Sequence, residues 1–139
     1  MLTVEATVNA PIEAVWRCWT SPEHITGWAF ASDDWEASEA ENDLRAGGSF
    51  KTRMQAKDGS NGFDMTGTYS VVKQPELIEY VMDDGRHVRI EFESVVDGTR
   101  VTEQFEPENE NSESFQVKGW QAILDNFKKY TEGQKGLVR

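Results

Sequence analysis

The spacing of hydrophobic and polar residues changes along the chain, and each change predicts an element. Leu2, Val4, Ala6 and Val8 alternate with Thr3, Glu5 and Thr7, the period of two shown by a half-buried strand. Pro11 then opens a stretch where Ile12, Val15, Trp16 and Trp19 recur at helical spacing, and its fixed φ suits a first helical turn. Ser21-Pro22-Glu23 predicts a second, short helix. Ser21 is the expected N-cap, Pro22 fits the first position, and Glu23 complements the dipole. That helix runs out near Gly27-Trp28.

The middle of the chain reads as hairpins. A weaker strand is expected around Trp35 to Glu41. After Gly47-Gly48, Phe50, Thr52 and Met54 alternate with Lys51, Arg53 and Gln55. Asp58-Gly59 turns into Phe63, Met65, Gly67, Tyr69 and Val71, and Gln74-Pro75 turns into a strand from Leu77 to Met82. Asp84-Gly85 leads to Val88, Ile90 and Phe92, opposed by His87, Arg89, Glu91 and Glu93; Asp97-Gly98 leads to Val101, Glu103 and Phe105. Repeated Asp-Gly pairs between alternating runs predict an antiparallel meander, because these residues accept hairpin-turn backbones. The polar stretch from Glu106 to Ser112 ends the sheet. From about Glu113 to Thr131, Gln116, Trp120, Ile123, Phe127 and Tyr130 form one stripe, the mark of an amphipathic helix. Asn111 or Ser112 is its expected cap and Gly133 its expected stop.

An antiparallel sheet must cover its apolar face, and the final helix is the only long amphipathic element available. The expected class is α+β, a curved antiparallel sheet wrapped around a long C-terminal helix. The space between them is either filled core or a ligand pocket. Three segments carry a resemblance: Asn9-Ala10-Pro11-Ile12-Glu13-Ala14-Val15-Trp16, then Thr20-Ser21-Pro22-Glu23-His24-Ile25 with Trp28, then Asp43-Leu44-Arg45-Ala46-Gly47-Gly48-Ser49-Phe50. They resemble the START-like (SRPBCC) superfamily, in its branch named after the C-terminal domain of the activator of heat-shock-protein-90 ATPase. Gly119 to Phe127 is similar to the final helix of that branch. The resemblance spans about residues 2 to 131 and implies a helix-grip fold with an internal cavity. It places a START-like domain at residues 1–131 and a flexible tail at 132–139.

Composition narrows the function. Across 139 residues, 14 Lys and Arg face 25 Asp and Glu, a net charge of −11. That field repels phosphate backbones and anionic membrane surfaces, so nucleic acid is not an expected partner. No apolar run approaches the roughly 20 residues of a membrane helix, and the start of the chain shows no signal-peptide pattern. Cytoplasmic location is the expectation. Cys18 is the single cysteine, which excludes an internal disulfide and a cysteine-rich zinc site. No metal or cofactor is expected, and the chain reads as a monomer or homodimer.

Strand alternation puts Phe50, Met54, Phe63, Met65, Tyr69 and Phe105 on the concave face, opposite Trp120 and Phe127. Gly67 and Gly119, on facing elements, either open a void or mark close packing. Glu103 shares its face with Val101 and Phe105, so a regular strand points its carboxylate inward. Such a group ends up paired, turned out by a bulge, or shifted upward in pKa. Gln116, on the apolar stripe, is its candidate partner or a second ligand anchor. Tyr69 offers a hydroxyl to the pocket, as Tyr80 does if it faces inward. Trp28, Phe30 and Trp35 surround a loop at the expected entrance, as a gate or as packing. His24 and His87 read as surface or cap.

No nucleophile–base pair, phosphate loop or metal cluster is legible. The leading expectation is a carrier or sensor of an apolar or aromatic ligand, oriented by Glu103. The superfamily resemblance implies an alternative, a polyketide cyclase- or aromatase-like enzyme with Glu103 as acid/base. The branch name implies another, a co-chaperone-like protein-binding domain.

Overall fold

The computed structural model describes residues 1–134. Strand β1 (Leu2–Val8) leads into helices α1 (Ile12–Thr20) and α2 (Pro22–Ile25). Six strands follow: β2 (Trp35–Asn42), β3 (Ser49–Ala56), β4 (Gly62–Lys73), β5 (Leu77–Met82), β6 (His87–Val95) and β7 (Gly98–Phe105). Helix α3 (Glu113–Glu132) closes the described chain. The strands form one curved antiparallel sheet in the order β1-β7-β6-β5-β4-β3-β2. This is the α+β architecture that the alternating pattern and the final stripe predict, in the helix-grip form that the resemblance implies.

The turns form for the expected reason. Gly59, Gly85 and Gly98 all adopt positive φ, and among the described residues none other than glycine does, so the Asp-Gly pairs place the awkward conformation on the residue without a Cβ. The Ser112 hydroxyl caps α3 by accepting from Phe115 N at 3.2 Å. Ser21 precedes α2, but its side chain makes no capping bond; Pro22 alone sets that turn. Gly133 ends α3 in a right-handed conformation. Glu132, assigned to the tail by sequence, is helical, and its carboxylate accepts from Asn9 N and Lys128 Nζ. Residues 135–139 of the expected tail lie outside the described residues.

The core is off-centre. Val8, Val15, Cys18, Val101, Phe105, Leu124 and Phe127 are sealed where α1 and the C-terminal half of α3 meet β1, β6 and β7. Trp19 and Trp28 each pack an edge against Phe127 at 4.8 Å. The Trp28 indole donates to Cys18 O at 2.9 Å, so its polar handle is satisfied inside. The N-terminal half of α3 and strands β3, β4 and β5 instead face each other across open space. That asymmetry creates the cavity.

Candidate ligand cavity

The cavity has a volume of about 400 Å³. Its floor comes from the inward positions of the sheet: Phe50, Thr52 and Met54 of β3, Met65 and Tyr69 of β4, Ile78, Tyr80 and Met82 of β5, and Glu103 of β7. Gln116, Gly119, Trp120 and Ile123 of α3 form the roof, and Trp19, Ile25, Trp28 and Ala29 close one end. Phe63 and Phe115 stand at the opening, 52% and 64% exposed. Strand periodicity explains most of this floor: alternate residues of three neighbouring strands reach the same concave face.

Glu103 is 5% exposed and points into the cavity, between Val101 and Phe105 in strand register. Desolvation alone pushes its carboxyl up to about 8, because no hydrogen bond or cation among the described residues favours the charged form. At neutral pH it is mostly the neutral acid. Tyr80, 6% exposed, lies on β5, across β6 from β7. Burial first, and then the nearby Glu103, push the Tyr80 hydroxyl well above its ordinary value, and no hydrogen bond from the described residues engages it. Tyr69 differs, because its hydroxyl donates to Asn42 Oδ1 at 2.6 Å, and Asn42 Nδ2 donates to Thr20 O at 2.6 Å. That chain ties β4 through β2 to the end of α1. Burial raises the Tyr69 hydroxyl as well.

Gln116 lines the cavity but is committed elsewhere. Its Oε1 accepts from Glu108 N at 2.8 Å, and its Nε2 donates to Glu108 O at 3.1 Å and Asn111 O at 2.8 Å. The side chain pins the β7–α3 loop against the roof rather than pairing with Glu103. The two glycines diverge. A Cβ on Gly67 would meet the Phe50 ring and Val81 O at 2.8 Å, so this glycine marks close packing under an aromatic ring. A Cβ on Gly119 would meet nothing within 4 Å; here the missing side chain opens space.

Other candidates fall outside the lining. Phe105 is sealed and stacks flat on Trp120, with centroids 4.0 Å apart. It sets the tilt of the Trp120 ring that the cavity sees. Trp35 pairs with Phe63 at 6.1 Å, outside the lining. His24 Nδ1 and the Tyr130 hydroxyl lie 2.7 Å apart in a hydrogen bond that fastens α2 to α3. His87 is exposed. Among the described residues no three His, Cys, Asp or Glu side chains cluster as a metal site requires.

Sequence reasoning missed several lining residues. The parity of Tyr80 could have been fixed by Glu79, which belongs on the outer face and turns both its neighbours inward. Asn42 reaches the interior because the β2–β3 register shifts between Ala37 and Glu39, and nothing in the local pattern announces that bulge. Arg86, Glu108 and Asn111 come from turns and loops, beyond the reach of strand alternation.

Fold and site together define a START-like, helix-grip protein with an internal cavity between sheet and final helix. A family model described as "Activator of Hsp90 ATPase homolog 1-like protein" matches residues 9–132. The chain belongs to that family. An AHSA1-like protein from Aeromonas hydrophila is 46% identical over 98% of this chain and 94% of its own, with a TM-score of 0.91. A protein from Cytophaga hutchinsonii is 51% identical over 96% of this chain and 93% of its own, with a TM-score of 0.81. At 23% identity, a Nitrosomonas europaea protein shares the fold over 97% of this chain and 96% of its own, with a TM-score of 0.82. No curated protein matches.

Proposed function

We propose that this protein is a cytoplasmic carrier or sensor that holds one small, mainly apolar or aromatic molecule in the cavity. The observation that carries the reading is the 400 Å³ space itself, apolar on most sides and furnished with Glu103 and Tyr80. Binding sites for small molecules combine an apolar lining with a few placed polar groups and fall in this size range. Trp19, Trp28 and Trp120 line the same space, so their fluorescence reports on occupancy. Native mass spectrometry of protein purified from its host should show a mass increment that denaturation removes. Loss of any increment, with tryptophan emission unmoved across a library of aromatic ligands, would sink the reading.

A second reading draws on the acidity of Glu103. A carboxyl titrating near 8 is poised to exchange protons at neutral pH, as a polyketide cyclase-like acid/base would. Under this reading Glu103→Gln abolishes turnover of an enolisable substrate and preserves its binding. The family description favours a third reading, chaperone binding, and a flat calorimetric titration against that chaperone would remove it.

A further inference from the structure

The cavity offers two hydroxyl donors that nothing among the described residues receives. Glu103 and Tyr80 are each more than nine-tenths buried, line the same space, and have no hydrogen-bond partner among the described residues. Unmade bonds at buried polar groups are costly, and a ligand group that completes them gains correspondingly. The nearby tyrosine, Tyr69, already donates its hydrogen bond to Asn42, so its O–H is not free for a ligand. A carboxyl held neutral in an apolar site keeps an accepting carbonyl oxygen, and its O–H is a strong donor with nothing yet among the described residues to receive it. The O–H of each group therefore calls for an acceptor.

Resting on the reading of the cavity as a binding site, we infer that its ligand presents a carbonyl oxygen to Glu103 and Tyr80, as an aryl ketone or enone does. One sp² oxygen has two lone pairs and can accept both bonds, which neither an ammonium group nor a hydrocarbon can do. An ammonium group would instead require Glu103 to ionise in a space with little water, with desolvation of both charges opposing the attraction. The other ionisable groups facing the space are Tyr69, held neutral by burial, and Glu41, Arg86 and Glu108 around its lip. Arg86 is paired with Asp84 at 2.8 Å.

Three probes of nearly one shape separate the alternatives: 2-acetonaphthone, 2-isopropylnaphthalene and 1-(2-naphthyl)ethylamine, titrated by tryptophan quenching. The ketone should bind about 10- to 100-fold tighter than the hydrocarbon, the effect of two modest hydrogen bonds. Its ¹³C=O stretch should move to lower frequency on binding. Tyr80→Phe should reduce ketone affinity roughly 3- to 10-fold and leave the hydrocarbon unchanged. Ketone affinity should fall as pH rises through about 8, and Glu103→Gln, which keeps a neutral N–H donor, should flatten that dependence. Equal affinity of ketone and hydrocarbon, or tighter binding of the amine, overturns the carbonyl assignment and leaves the binding site standing. Binding of none of the three overturns both.

Discussion

The most consequential single residue is a carboxyl placed where water is scarce. In the unfolded chain Glu103 ionises near 4.5, and in the fold near 8. Between those values the folded state holds more protons than the unfolded state, so stability falls as pH rises through that window and levels off above it. Glu103→Gln keeps the shape and removes the liability. Thermal melts should show the variant indistinguishable from the parent near pH 4.5 and stabilised by several degrees at pH 9. A parent whose melting temperature does not drop relative to the variant between those pH values would mean that the carboxylate is solvated. The inward direction of Glu103 was legible, because Val101 and Phe105 flank it at the same parity. Its lack of a partner was not: Gln116 stood at a plausible place on the stripe, and only the loop it grips shows where its bonds go.

At the scale of elements, α3 does two jobs along one helix. Its C-terminal half seals the core, and Phe127→Ala should lower unfolding free energy by about 3–5 kcal/mol in urea titrations, the usual loss for a buried phenylalanine. Its N-terminal half roofs the cavity, held by Gln116 to the loop before it. Gln116→Leu leaves Glu108 N and two carbonyls without partners. Hydrogen exchange at the Glu108 amide should accelerate at least tenfold while exchange around Leu124 and Phe127 stays as it was; uniform acceleration would contradict a local role for this anchor. The helices and hairpins were readable because period and Asp-Gly chemistry are local properties of the chain. The register shifts between Ala37 and Glu39, and between Tyr69 and Val71, depend on what the partner strand offers. That is why Asn42 could not be placed in the site from its own strand, and why Trp35 could not be placed outside it.

The whole molecule carries a net charge of −11, and no helix among the described residues is long and apolar enough to cross a membrane. Like charges spread over so small a fold oppose its compactness and are screened by salt. Raising sodium chloride from about 0.02 to 0.5 M, beyond which the screening length is only a few ångströms, should increase the melting temperature by a few degrees; a decrease would show that local ion pairs outweigh the net field.

Gly119 extends the argument from physics to selection. Glycine inside a helix is about 1 kcal/mol less favourable than alanine, and here a Cβ would touch nothing, so alanine would strengthen the helix without strain. Any added side chain there also takes space from the cavity that Gly119 lines. A random library selected only for heat resistance should therefore enrich larger residues at 119 and yield proteins that melt later and hold less. In this fold, robustness and capacity are traded at one position.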